Sequence, residues 1–245
     1  PYPRFGNLNI HSQARSTEYH ALQSKFQKRT SNGYWYLVSH TWSRTLVTQP
    51  APGTGGNFTY ETGPAAFDAT HLLAMSFGAE LPFGRGKRFL GGAGTLVNGV
   101  LGGWQVQSII NYRSGLPFTP TVSRDVANIG VGGQRPNQIG SGKLDDPTVN
   151  AWFDKTAFVV PPNFTFGNTP AGILRGDHQW NVDFSIFKRF TVGSKALEFR
   201  AEAFNLLNSV YFNLPNSAVD TTTGGRITST SNAARQLQFG IKYLF

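Results

Sequence analysis

The chain has 245 residues, a formal net charge of +9, 28 glycines, 14 prolines, 20 phenylalanines and no cysteine, so disulfides, cysteine-held zinc and thiol catalysis are excluded. Its basic residues are scattered as Lys28-Arg29, Arg85/Lys87/Arg88 and Lys188-Arg189/Lys195, with no stacked-aromatic RNA motif and no basic helix, which argues against nucleic acid as a partner. No apolar run reaches the roughly 20 residues of a membrane-spanning helix, and a mean hydropathy of −0.26 with many turn formers suits strands joined by loops.

The opening "PYPRFGNLNI" lacks the basic start and apolar stretch of a signal peptide. Without an initiator Met, the chain reads as a piece of something longer. A first, weakly patterned strand is expected at Phe5 to Gln13, followed by a short link at Arg15 to Thr17. From Tyr19 to Lys28, Leu22 and Phe26 oppose Gln23, Lys25 and Gln27, and "TSNG" (Thr30 to Gly33) makes a tight turn. Tyr34, Tyr36, Val38, His40 and Trp42 then alternate with Trp35, Leu37, Ser39, Thr41 and Ser43, ahead of a long loop from Leu46 to Phe67.

Leu73, Met75, Phe77, Ala79 and Leu81 form the next alternating set. In the Pro82 to Leu101 connection, "GRGKRFLGGAG" lacks the Gly-Lys-Ser/Thr ending and following helix of a phosphate loop, and is expected to be a flexible turn. From Gly103 to Arg113, Trp104, Val106, Ile110 and Tyr112 face Gln105, Gln107, Asn111 and Arg113, with Ser108 and Ile109 as defects. The long Pro117 to Gln179 loop follows. Trp180 to Arg189 and Ala196 to Phe204, joined by "TVGSK", are the next strands, although Phe187 breaks the polar side of the first. After a loop from Leu206 to Ala234, Arg235 to Phe245 alternates to the end of the sequence, with Leu244 its exception.

These segments make an all-β, antiparallel up-and-down meander of about eight strands. Tight turns fall at one end and long loops at the other. The Pro82 to Leu101 connection joins the turn end and the Arg15 to Thr17 link the loop end. Short turns on one side, long loops on the other and strands of about ten residues are what an outer-membrane β-barrel requires. A soluble β-sandwich also alternates. The aromatic residues favour the barrel: Tyr34, Trp104, Phe190 and Tyr243 cluster toward the turn end, and Trp42, Tyr112 and Trp180 toward the loop end, as two girdles at membrane interfaces. The eight basic residues Lys28, Arg29, Arg85, Lys87, Arg88, Lys188, Arg189 and Lys195 all fall at the turn end, where anionic phospholipid headgroups or solvent would receive them.

The stretches "YHALQSKFQKRTSNG", "SHTWSRTL", "ELPFGRGKRF", "GGWQVQSIINYRSGLPFT", "RPNQIG", "ILRGDHQWNVDFSIFKRF", "LEFRAEAFNLLN" and "ARQLQFGIKYLF" resemble, in family order and over nearly the whole chain, the C-terminal part of Oar-like TonB-dependent outer-membrane receptors. That resemblance implies an intact protein with a 22-stranded barrel and an N-terminal plug, taking up a ligand through the TonB system. Residues 1–245 would then be the C-terminal segment of the barrel, without the plug and TonB-contacting parts. The implied partners are outer-membrane lipids, the remainder of the barrel and its plug, the TonB system, an unknown transported ligand and the barrel assembly machinery. For the last of these, Phe239, Ile241, Tyr243 and the terminal Phe245 resemble the assembly signal.

On the polar parity, Gln105, Gln107, Asn111, Arg113, Asp183, Glu198, Arg200, Glu202, Gln236, Gln238 and Lys242 are expected to line a hydrated lumen. Glu198 and Arg200, two apart on one face, can pair with each other or across strands. No catalytic constellation or cofactor motif is found. His11, His20, His40, His71 and His178 are dispersed, and His40 on the apolar parity reads as an interfacial ring. Asp145-Asp146 reads as a solvated turn ahead of a calcium site. Three functions stand side by side: a segment of a TonB-dependent receptor, which the resemblance implies, and, from the strand pattern, a self-contained eight-stranded outer-membrane anchor or adhesin or a soluble carbohydrate-binding sandwich.

Overall fold

A computed structural model describes residues 15–31, 33–50, 60–130 and 132–245. In chain order the elements are β1 (Ser16–Ser31), β2 (Tyr34–Pro50), β3 (Tyr60–Pro64), β4 (His71–Glu80), α1 (Thr95–Leu101), β5 (Trp104–Arg113), β6 (Pro117–Phe118), β7 (Asn137–Gln138), β8 (Phe158–Val159), β9 (Leu174–Arg175), β10 (Gln179–Val192), β11 (Lys195–Phe204) and β12 (Gln236–Leu244). One antiparallel sheet runs β1-β2-β4-β5-β10-β11-β12, with β3 added beside the far half of β2. The meander is therefore as expected. The Phe5 to Gln13 strand lies outside the described residues.

Register extends the two parities of each strand into two continuous faces, because cross-strand partners share a face. Tyr36, Phe77, Ser108, Phe184, Ala203 and Leu237 stand opposite one another in one row across six strands. The neighbouring row of the other parity reads Trp35, Gly78, Gln107, Ser185, Glu202 and Gln238. The first face is apolar and the second polar. Two apparent defects resolve locally. The Ser108 hydroxyl donates to the Asp183 carbonyl at 2.8 Å, so its one donor is satisfied on the apolar face. Phe187, on the polar face, lies 5.5 Å beneath the Arg200 guanidinium, a cation–π contact that suits a ring in a polar setting.

All the girdle aromatics share the apolar face. Trp104 and Tyr112 are eight residues apart on β5, about 27 Å along a strand at about 3.4 Å per residue. At a tilt of about 40° the separation along the membrane normal is about 20 Å, near the height of a barrel's apolar band. A sandwich would bury this face against a second sheet. Here Leu22, Phe26, Leu237, Phe239 and Ile241 are exposed on it, and the expectation of a soluble sandwich is not met.

Connections sort by length as expected, with Gly33 at φ +81° and Gly193 at φ +60° in the tight turns. Four local expectations are corrected. Thr17 lies within β1 and not in a link. Much of the expected Leu46 to Phe67 loop is strand, because β2 continues to Pro50 and β3 pairs with it, Val47 opposite Gly63 and Gln49 opposite Glu61. A helix, α1, does follow "GRGKRFLGGAG". The long loops after β5 and β11 form a packed unit at the loop end. Its core is Phe118, Phe153, Ala157, Phe158 and Leu174, its short ribbons pair β6 with β9 and β7 with β8, and Trp152 N–H donates to Gly225 O at 2.8 Å to stitch the two loops together.

Candidate functional site: the polar face and its loop-end mouth

Every wall residue named from the sequence lies on the polar face, grouped by height. Nearest the turns, Arg189, Glu198 and Lys242 stand opposite one another on β10, β11 and β12. One step further, Arg200 bridges Glu198 at 3.0 Å and Glu202 at 3.6 Å, fulfilling the expected pairing. Gln105, Gln107, Gln236 and Gln238 add uncharged donors and acceptors to the same surface. Opposite charges on adjacent strands hold such a face together at roughly 0.2–1 kcal/mol per pair.

Space on this face is set by Gly78, which lies opposite Trp35. A Cβ built there meets the indole, 2.7 Å from Cε2 and 2.9 Å from Cζ2. Gly78→Val is expected to destabilise the sheet by about 1–3 kcal/mol through overpacking, read by urea unfolding in detergent. Adding Trp35→Ala in the same chain should return most of that loss; failure to do so would show that the indole is not the obstacle.

At the loop end the face becomes a mouth. Arg113 Nη2 donates to Gln179 Oε1 at 2.7 Å. Asp183 Oδ1 accepts from Asn181 Nδ2 at 2.8 Å and from the Asn205 backbone N–H at 2.9 Å. Tyr211, from the last loop, lines an open pocket of about 380 Å³ together with Ser39, Thr41, Asn111 and Arg113. Burial first, then the Asp183 carboxylate, push the Tyr211 hydroxyl above its ordinary value against the pull of Arg113. Tyr211 therefore stays neutral and able to donate. Beside the apolar Leu72, Leu73 and Tyr112, the mouth offers a mixed set of donors and acceptors with one guanidinium held by Gln179.

Two ion pairs clamp the loop unit to the sheet. Asp68 is 1 % exposed; its Oδ1 accepts the Thr45 N–H at 2.6 Å and its Oδ2 takes Arg175 Nη2 at 2.5 Å. Arg175 Nη1 also donates to Asp68 O and Gly115 O, both at 3.0 Å. Arg135 makes a bidentate pair with Glu61 on β3. Burial pushes the Glu61 carboxyl up, but Arg135 outweighs it and holds the group below the 4.5 ordinary to glutamate. A depressed carboxyl stabilises above its unfolded pKa, and that stability is lost as pH falls through the folded value. Protease resistance of the loop unit should therefore fall with acidification below about pH 4.5, and Glu61→Gln should flatten that part of the profile; an unchanged profile would contradict the pair's role.

The histidines dispersed in sequence are partly brought together: His40 Nε2 and His71 Nδ1 stand 3.2 Å apart with stacked rings. The pair lies on the apolar face beside Trp42, since His71 is opposite Trp42 and His40 opposite Leu73. The two positions are 31 residues apart in sequence, so only strand register reveals them. Among the described residues, no group of three or more histidine, aspartate or glutamate side chains is placed to hold a metal. Asp145 and Asp146 are exposed in the loop unit.

An outer membrane beta barrel domain family matches residues 1–238. The chain belongs to that family. No match is found among curated proteins or solved structures. Membership places this outer membrane beta barrel domain in the outer membrane of Gram-negative bacteria, and the apolar face, with its two girdles, is the surface such a domain turns to lipid. The eight basic residues named from the sequence all lie at the turn end of the domain, alongside Glu80 and Glu198. Phe239, Ile241 and Tyr243 lie exposed on the apolar face of β12, an edge strand paired only with β11 among the described residues. Phe245, 97 % exposed, follows with its ring 6.1 Å from that of Tyr243.

Proposed function

We propose that this domain is a wall and loop segment of a TonB-dependent receptor, in which the polar face lines a wide lumen holding a plug and the loop-end mouth meets the incoming ligand. One observation carries the reading: the β3–β4 connection covers the polar side of the sheet at the loop end and, through the Asp68–Arg175 pair, ties the loop unit to it. Ser43 and Thr45, both on that parity of β2, are buried under Ala69 and Asp68, with Ser43 Oγ donating to Ala69 O at 3.0 Å. An eight-stranded barrel has an interior just wide enough for its own side chains. Trp35, Phe187, Arg200, Tyr211 and a packed loop unit on one face call for a wider one. The open sheet agrees: among the described residues its path runs from β1 to β12 without β12 pairing back onto β1.

In this reading the wall binds and conducts without catalysing a reaction. Those turn-end basic residues that lie on the outside of the wall meet anionic headgroups, and β12 with its terminal aromatic residue presents the edge that the assembly machinery engages by strand addition. The chain's lack of cysteine permits a direct test against the self-contained anchor. Paired cysteines are scanned between β12 and both β1 and the preceding residues 5–13, for example Gln23→Cys, Lys25→Cys, Asn7→Cys or Asn9→Cys with Gln236→Cys or Gln238→Cys, in cells. A receptor wall gives no intrachain disulfide between β12 and either segment. Efficient disulfide formation between them means a small closed barrel and overturns the reading.

A further inference from the structure

The connection between β4 and β5 carries a helix with its polarity reversed. On α1, Leu96, Val97, Val100 and Leu101 share one side and are exposed, Leu96 at 87 % and Val100 at 66 %. Asn98, away from that side, turns toward the protein: its Oδ1 accepts the Arg85 N–H at 2.6 Å. A surface helix of a soluble protein buries its apolar stripe and exposes its polar one.

The place where α1 rests decides what covers that stripe. Trp104 and Lys188 are opposite one another on the apolar face of the sheet, at its turn end. Trp104 Nε1 donates to Val100 O at 2.8 Å, and Lys188 Nζ donates to Gly99 O. The ammonium also lies 4.8 Å from the Phe190 ring centroid and 5.7 Å from that of Trp104. Lys188 is thus 4 % exposed on the lipid-facing parity, sheltered from hydrocarbon by the helix and two girdle rings. The helix sits against the outside of the wall, at the level of the turn-end girdle. Exposed Arg85, Lys87 and Arg88 precede it, Lys87 bound to Glu80 at 2.6 Å.

We propose that α1 is an interfacial anchor seated in the periplasmic leaflet of the outer membrane, its apolar side against phospholipid acyl chains and the Arg85-Lys87-Arg88 segment against anionic phosphate headgroups. An amphipathic helix with basic flanks lies in this way at the boundary between headgroups and acyl chains. The inference rests on the lipid-facing assignment of the apolar face. The partner is continuous with that face, complementary in charge, and matched to the side the helix leaves open. With seven residues, an internal Gly99 and no side-chain N-cap, α1 is too short to persist on its own propensity. Its hydrogen bonds to Trp104 and Lys188 hold it at the interface.

The test places a nitroxide at Leu96→Cys, Ile241→Cys or Asp145→Cys in the full-length protein, reconstituted in vesicles of phosphatidylethanolamine and phosphatidylglycerol. All three sites are exposed, so the labels leave packing intact. Collision with oxygen and with a nickel chelate is then compared. The anchor predicts that the label at 96 is oxygen-accessible and chelate-shielded, as at 241 and unlike 145. It also predicts that Arg85→Gln with Arg88→Gln makes the label at 96 several-fold more accessible to the chelate. A label at 96 open to the chelate while 241 is shielded overturns the anchor and leaves the barrel standing. Labels at both sites open to the chelate overturn the lipid-facing assignment and the anchor with it. Shielding at 96 from oxygen and chelate alike means a protein partner, and overturns the anchor.

Discussion

Met75→Arg is expected to destabilise the folded domain by about 2–4 kcal/mol, while Ser76→Arg, one residue along the same strand, changes stability by about 0.5 kcal/mol or less. The two positions lie at the same height, midway along β4, and differ in face. Met75 is opposite Val38 and Ile110 on the apolar side, and Ser76 opposite Leu37 and Ile109 on the other. A guanidinium at Met75 must enter hydrocarbon or reach for the interface, whereas one at Ser76 enters the face that already carries Arg200 and Lys242. Equilibrium unfolding from lipid vesicles reads the difference. Equal effects at the two sites would remove the distinction between the faces.

Asp68→Ala should weaken the loop end by about 3 kcal/mol, within the range for breaking a buried ion pair and reduced because Arg175 is 38 % exposed. The carboxylate joins three parts of the chain: the Thr45 N–H of β2, the connection before β4, and Arg175 of β9, itself bonded to Gly115 O. Its loss orphans a buried backbone donor along with the guanidinium. Limited proteolysis in detergent should cut residues 114–178 early in the variant while the spanning strands stay protected. Digestion at the wild-type rate would show that Asp68 does not hold the loop unit.

Legibility in the sequence followed the lipid. Where a strand separates hydrocarbon from water its residues must alternate, and the β10–β11 hairpin, with Gly193 at its turn, is readable residue by residue. Beyond the Trp42 girdle that demand ends. Arg44 to Pro50 carry no sustained alternation, so the outer half of β2 and its partner β3 read as loop. The helix α1 escaped notice because seven residues span barely two turns and their polarity is inverted. Phe118, Phe153, Phe158 and Leu174 come together from positions far apart, with no period to announce a core. The same holds for Asp68 with Arg175, 107 residues apart, and for His40 with His71. Which of the named side chains share the polar face was legible, by contrast, because strand parity alone decides it.

The most direct test of the account is solvent accessibility at single cysteines along β5, in a chain that has none of its own. A hydrophilic, membrane-impermeant maleimide applied to both sides of the reconstituted membrane should label cysteines at Gln105, Gln107 and Asn111 and spare those at Val106 and Ile110. That period of two is the signature of one face against lipid and the other against a hydrated lumen. Uniform labelling, or labelling of Val106 and Ile110 in preference to their neighbours, would contradict it.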